Sequence, residues 1–306
     1  MLSSYTAVIG AFLLSRVATW NTDVHNQIGF MAESFLTSST TSVLQHILEP
    51  EYNGSIGRAA AWADAYAHTD EGRFSYQWHW IDSHDDPPHT CNLSYTHDCS
   101  KGGCIVSAIA NQTKILQGCV ADVKEGILQK GSNTTCSYAL KWVSHFLGDI
   151  AQPLHASGRA AGGNFVNVTF NNRPTELHAV WDGLLPYADS GVSRFSNLSI
   201  DPFFSGLLSR IENDQFYEAP YMWLLCTDPS TPTECATRWA HESNIWTCDY
   251  VYRDIDNSTD LARSGYARGA FPIIELQISK SAVRLGAWLN NVVEGSIHYT
   301  SEQVEL

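Results

Sequence analysis

The chain has 306 residues, with 18 Lys and Arg against 32 Asp and Glu, giving a net charge of -14. So acidic a composition offers no basic face to neutralise a row of duplex phosphates, so any phosphate must be held mainly by bound cations. Beyond the first residues no stretch approaches the roughly 20 apolar positions needed to cross a bilayer, and no membrane partner is expected.

Residues 1–19 join an apolar run at 5–14 to the compact segment Ser15-Arg16-Val17-Ala18-Thr19, the pattern of a secretory signal peptide. The start lacks the usual positive charge, but the run is too short for a membrane anchor. Residues 20–306 contain no Gly/Ser/Pro-rich linker or charge block, so one secreted domain is expected there. Apolar residues recur at helical spacing over 26–35, 56–67, 103–116, 137–151, 176–185, 235–247 and 274–293. In the fourth of these, Leu140, Val143, Phe146, Leu147 and Ile150 form one stripe facing a core. The clear strand signal is Phe165-Val166-Asn167-Val168-Thr169-Phe170, followed by Asn171-Asn172 as a turn. The expected fold class is therefore mainly α, a single helical domain with a small β-hairpin. A long polar loop at 83–100, containing Asp85, Asp86, Pro87 and Pro88, is of the length usually reserved for function or tied down covalently.

The 8 cysteines behind a leader favour disulfides. Cys99 and Cys104, Cys119 and Cys136, and Cys226 and Cys235 are close in sequence; if these pair, Cys91 and Cys248 remain for a long-range bridge. No CxxC pair supports a zinc-thiolate site. Sequons at Asn53, Asn92, Asn111, Asn133, Asn167, Asn197 and Asn257 agree with glycosylation on the secretory route and an extracellular location.

Two His/Asp pairs at i, i+4 spacing carry the chemistry: His145 with Asp149, and His178 with Asp182. That spacing stacks both side chains on one helix face, where they can reach one metal. A single pair of this kind is most often a surface ion pair. Two pairs among apolar helices, with Gln152-Pro153-Leu154-His155 directly after the first, are costly to bury unless they coordinate a metal. Imidazoles and carboxylates without thiolate are what zinc accepts in hydrolytic sites.

The run Ser144-His145-Phe146-Leu147-Gly148-Asp149-Ile150-Ala151-Gln152-Pro153-Leu154-His155, then Gly162-Gly163-Asn164 and Leu177-His178-Ala179-Val180-Trp181-Asp182, resembles the fungal and plant single-strand nucleases of the nuclease S-one and nuclease P-one type. The likeness runs from Trp20 through Ala60-Ala61-Trp62-Ala63-Asp64 and His79-Trp80-Ile81-Asp82 to Glu275-Leu276-Gln277-Ile278. It implies a helical fold, shared with zinc phospholipase C, that holds three zinc ions. By resemblance Asp64, His79, His145 and Asp149 bind one ion, and His155, His178 and Asp182 a second. His25, Asp149 and the α-amino nitrogen and carbonyl oxygen of Trp20 hold the third. Signal cleavage before Trp20 would then also activate the protein, because an amide nitrogen has no free lone pair to give.

The same resemblance implies an endonuclease acting on single-stranded RNA and DNA to leave 5'-phosphates, and on 3'-nucleotides, as a monomer. Asp64 and Asp149 would serve catalysis with a metal-activated hydroxide that attacks phosphorus. Trp80 would stack on a base whose edge Asp82 and Asn164 bind, which only an unstacked base can reach. Ala67 departs from the family, which usually has Arg or Lys there; His68 and Arg73 are the nearby cations that could replace it. Asn21 and Val24 stand in place of glycines, and Trp80 in place of Phe. Two rival readings are a zinc phospholipase C, which needs a membrane-engaging surface, and a secreted binding protein with fully enclosed structural zinc. His46, His68, His84, His89, His97, His241 and His298 fall outside the ligand set, and His84 and His89 follow Asp82 closely enough to approach substrate.

Overall fold

The computed structural model describes residues 20–253 and 255–295; the expected leader at 1–19, and His298, lie outside the described residues. Helix α1 (Thr22–Glu33) begins where the Asn21 side chain accepts from the Val24 amide, a cap generally worth about 1 kcal/mol, and it buries Val24, His25, Ile28 and Met31. Asn21 and Val24, the two departures near the N-terminus, are thus a cap and a core residue. Helix α2 (Ser38–Ile47) is half Ser and Thr, which hides it from apolar periodicity; Thr37 caps it, and Thr40, Leu44 and Ile47 bury one face.

The helix expected at 56–67 is in fact two, α3 (Ile56–Ala59) and α4 (Trp62–Ala67). The break frees the Ala60 carbonyl from helical bonding and lets it accept from His145. A 3₁₀ helix, Arg73–His79, follows, and the 83–100 loop contains only the short α5 (Tyr95–Asp98). Helix α6 (Ile105–Lys124) runs past its expected end, and α7 (Thr134–Asp149) starts at the Asn133 cap and stops on Asp149. Strands β1 (Asn167–Phe170) and β2 (Arg173–Glu176) pair antiparallel, Phe170 opposite Arg173. Asn171 and Asn172 between them have φ of 51° and 59°, as a two-residue primed turn requires.

Helix α8 (Leu177–Ala179) passes through a π-helical turn, Val180–Leu184, into α9 (Leu185–Ser190). Helices α10 (Asp201–Glu212), α11 (Pro232–Trp246) and α12 (Tyr266–Glu294) complete the order. The fold is mainly helical with one small hairpin, as the periodicity predicts.

Two hydrophobic clusters form the interior. One holds Val143, Phe146 and Leu147 of α7 with Trp239 of α11; the other holds Trp20, Ile28, Leu154, Trp181 and Ile274. Helix α12 contributes to both, with Ile278 in the second and Trp288 in the first. Four disulfides form, joining Cys91 to Cys248, Cys99 to Cys104, Cys119 to Cys136 and Cys226 to Cys235. The first ties the 83–100 loop to the π-helical turn Thr247–Val251 after α11.

Candidate metal centre and adjoining pocket

The end of α7 brings His145 and Asp149 to the same face, and both are buried completely. Each Asp149 oxygen meets different imidazoles. Oδ2 lies 3.0 Å from His79 Nδ1 and 3.0 Å from His145 Nε2, whereas Oδ1 lies 3.1 Å from His25 Nε2. Asp64, from α4, approaches His145 at 3.3 Å and His79 at 3.6 Å. The His25 ring stacks on that of His145 at 3.7 Å between centroids. The second His/Asp pair is equally close, with His178 Nε2 3.1 Å from Asp182 Oδ2, and His155 Nε2 is 3.6 Å from Asp182 Oδ1. Donor atoms of His25, Asp64 and His145, of His79, His145 and Asp149, and of His155, His178 and Asp182 each converge within 4.8 Å.

Backbone carbonyls aim these rings. Nδ1 of His145 bonds to Ala60 O at 2.7 Å, Nδ1 of His155 to His79 O at 2.8 Å, and Nδ1 of His178 to Gly162 O at 2.6 Å. Each bond leaves Nε2 pointing inward, the outer-shell arrangement that orients metal-binding histidines. Gln152 adds a 2.6 Å bond from Nε2 to Asp182 Oδ1. The turn after α7 is itself pinned: Ser243 bonds Ile150 O, and Gln277 bonds Ala151 O.

The inward atoms fit a metal better than they fit each other. Nε2 of His25, His155 and His178, Oδ1 of Asp149 and Oδ2 of Asp182 are buried without a hydrogen bond. His25 Nε2 and Asp149 Oδ1 are 3.1 Å apart yet lack the geometry to bond. Buried polar atoms left so are costly, and a shared cation would satisfy them.

The electrostatics are equally coupled. Burial pushes the His25 and His79 pKa values down, with the neighbouring His145 adding to it. For His145 and His155 burial acts the same way but the carboxylates win: Asp149 and Asp64 raise the first well above its ordinary value, and Asp149 and Asp182 bring the second to about 9. Against the effect of burial, His145 and the other imidazoles hold Asp64 down to about 2, and Asp149 and Asp182 also stay ionised.

A pocket of about 140 Å³ opens beside the centre, lined by Tyr76, Trp80, Asp82, Leu154, Ser157, Asn164 and His178 among others. Trp80, Asp82 and Asn164 therefore line one pocket. Trp80 Nε1 donates to Asp82 Oδ2 at 3.1 Å, and Asn164 Nδ2 to Ala161 O at 2.7 Å. Desolvation raises the Asp82 carboxyl above its ordinary value, while the Trp80 bond and the His84 imidazole work against it.

Tyr76 was not legible in the sequence: its ring meets Trp80 edge-on at 5.2 Å, and only the 3₁₀ spacing of Arg73–His79 aligns them. Ala67 is buried. His68 bonds the Asp64 carbonyl at 2.7 Å and meets the Tyr76 ring at 5.7 Å, whereas Arg73 forms an exposed pair with Asp70.

Trp20 is fully buried, with Nε1 bonded to Gly148 O at 2.9 Å, and the next amide, of Asn21, bonds Asp182 O at 2.9 Å. The start of the described chain is thus attached to both metal-type motifs.

Known proteins resemble this chain along most of its length. The S1/P1 Nuclease family profile matches residues 20–294. Nuclease S1 of Aspergillus oryzae is 35% identical over 275 residues, 89% of this chain and 91% of its own. Nuclease P1 of Penicillium citrinum is 32% identical over 278 residues, covering 89% and 97%, and Endonuclease 4 of Arabidopsis thaliana is 28% identical over 290, covering 92% and 91%. Among solved structures, the alpha-toxin of Clostridium perfringens superposes with a TM-score of 0.42 at 15% identity, over 90% of this chain and 65% of that one. Since the profile runs from Trp20 past Asp182, and so spans every residue that converges on the centre, the chain belongs to the S1/P1 nuclease family.

Proposed function

We propose that this protein is a secreted, zinc-dependent endonuclease that cleaves single-stranded RNA and DNA to 5'-phosphate products and also removes the phosphate of 3'-nucleotides. The observation that carries the reading is the division of Asp149, whose two oxygens face separate imidazoles beside an aromatic pocket. Asp64, His79, His145 and Asp149 would hold one zinc, His155, His178 and Asp182 a second, and His25 with Asp149 and the Trp20 chain end a third. Imidazole and carboxylate donors suit zinc. When bound, zinc supplies Lewis acidity and a water acidic enough to attack phosphorus near neutral pH.

The chain's own residues do the rest. Trp80 offers its ring to a base, Asp82 and Asn164 the polar groups for the base edge, and Tyr76 backs the Trp80 ring. A base still stacked in a duplex cannot enter, which favours single strands. His145, His155 and His178 are kept in register by their bonds to backbone carbonyls.

Export fits the same picture. Removal of residues 1–19 would free the Trp20 amine at a segment already bonded to Gly148 and Asp182. The four disulfides agree with an oxidising compartment. Six of the sequon asparagines are exposed, and Asn133 is half-buried where it caps α7.

The test is metal analysis of secreted protein, with hydrolysis of single-stranded DNA, RNA, a 3'-nucleotide and phosphatidylcholine vesicles before and after chelation. The expected result is zinc in the protein and nucleic-acid cleavage that chelation removes and zinc restores. Cleavage of lipid alone would reassign the site to a phospholipase C, and nuclease activity surviving exhaustive chelation would overturn the zinc reading.

A further inference from the structure

A second set of metal-type donors lies outside the buried centre. His84, from the loop after the pocket residue Asp82, and His97 and Asp98, from α5, bring donor atoms within 4.8 Å of one another. Nδ1 of His84 at 2.8 Å and Nδ1 of His97 at 2.9 Å both hydrogen-bond the same oxygen, Oδ1 of Asp98. These separations match the approach of His145 and His178 to their aspartates in the centre, 3.0 and 3.1 Å. We propose that His84, His97 and Asp98 form a further, solvent-open site for a divalent transition-metal ion beside the pocket.

Three features support it. The Asp98 carboxylate is only 2% exposed, and its position is set by backbone amides, Ser94 N at 2.7 Å on Oδ2 and His84 N at 3.3 Å on Oδ1. The segments carrying the imidazoles are held in place before any ion arrives. Ile81 N bonds His155 O, Gly158 N bonds Ser83 O, and the Cys99–Cys104 bridge starts at the residue after Asp98. Binding therefore orders little chain, which favours affinity.

The two imidazoles are also well exposed, 61% and 69%, yet both turn Nδ1 to one oxygen. Both bond that one buried carboxylate oxygen, and each exposed side chain gives up rotamer freedom to do so. A shared ion gives both rings a stronger reason to converge.

The donor set selects the ion. Two imidazoles and one carboxylate suit zinc, copper or nickel, whereas calcium and magnesium prefer all-oxygen sites. Three protein donors leave positions open to water or to a phosphate oxygen, and exposure makes the ion exchangeable. A cation there would stand next to Asp82, adding positive charge to an acidic chain where a nucleic-acid strand would pass. The site takes no residue from the buried centre, so it stands whether or not the nuclease reading does.

The test compares wild type with His84→Ala and His97→Ala, each first loaded with Zn²⁺ and freed of loosely held metal. Zn²⁺ is then titrated calorimetrically, and Cu²⁺ binding is followed by electron paramagnetic resonance. Wild type should bind one further ion with at least about tenfold higher affinity than either variant, and its Cu²⁺ spectrum should show two imidazole nitrogens, reduced to one in each variant. Equal binding by all three proteins, or loss in only one variant, would overturn the site. Failure of the buried centre would instead lower the tightly held zinc of all three alike. Thermal melting of each protein checks that the exposed substitutions leave the fold intact.

Discussion

Asp149 Oδ1 lies 3.1 Å from His25 Nε2, so the last residue of α7 meets the first turn of α1 with one oxygen and keeps the other for His79 and His145. One carboxylate can thus serve two metals. Asp149→Asn should reduce hydrolysis of single-stranded DNA more than about a hundredfold and lower the metal content at two positions, whereas Asp182→Asn should affect one. Metal analysis beside turnover checks this; full metal content in Asp149→Asn would contradict the bridge.

Gly148, next to Asp149, is small because His25 occupies the space in front of it. A Cβ built there would be 3.0 Å from His25 Nδ1 and 3.2 Å from Cε1. Ala would ordinarily favour a helix interior by about 1 kcal/mol, but here the ring that stacks on His145 must yield. Gly148→Ala should release metal to a competing chelator faster than wild type; equal release rates would show that His25 has room to move.

Trp80 should contribute through base stacking. With stacking worth about 1 to 3 kcal/mol, Trp80→Ala should lower kcat/KM on single strands about 5- to 150-fold while leaving metal content unchanged. Trp80→Phe should lose far less. Tyr76→Ala should give an intermediate loss, because it removes the edge-on neighbour 5.2 Å away and leaves the indole in place. Unaltered kinetics in Trp80→Ala would put base recognition elsewhere.

Asp189 provides a pH effect away from the buried His/Asp centre. Burial first, and Glu275 second, raise its pKa from 3.8 to about 7, although Arg210 opposes them, and Oδ2 has no hydrogen-bond partner. The folded state holds this proton more tightly than the unfolded chain, so the group's contribution is fully present below the unfolded value. It is lost as pH rises through about 7. Asp189→Asn should therefore raise Tm at pH 8 but hardly at pH 5. The group is half-buried, so solvent screening limits the gain to about 1 kcal/mol, or roughly 2–4 °C. Equal shifts at both pH values would exclude the carboxylate as the cause.

The Cys91–Cys248 bridge closes a sequence separation of 157 residues. Replacing both cysteines by Ser should cost about 2–5 kcal/mol in urea unfolding and expose the 83–100 loop to proteolysis. The same change at Cys99 and Cys104, which are 5 apart, should cost less. A reversed order would mean that local packing outweighs loop closure.

Local spacing was enough to read the helices around His145 and His178, the β1–β2 hairpin with its Asn-Asn turn, and the three short disulfides. Each depends on neighbours a few residues apart, where one repeat distance decides which side chains share a face. Spacing also put Asp149 and Asp182 beside the histidines four residues before them. It could not show which Asp149 oxygen meets which imidazole, because His25, His79 and His145 come together only when α1, the 3₁₀ helix and α7 pack.

The break at Ala60 was hidden for a similar reason. Its local pattern continues as a helix, and the carbonyl it releases finds its partner on α7. Tyr76 behind Trp80 follows from a 3₁₀ helix, and His84 meets His97 on Asp98 only where the loop after Asp82 packs on α5. The amino-acid order determined by itself which donors exist and which helical pairs can act together. Only tertiary packing decided the direction of each lone pair, since carbonyls and rings distant in the chain must meet before a buried imidazole has one nitrogen bonded and the other free.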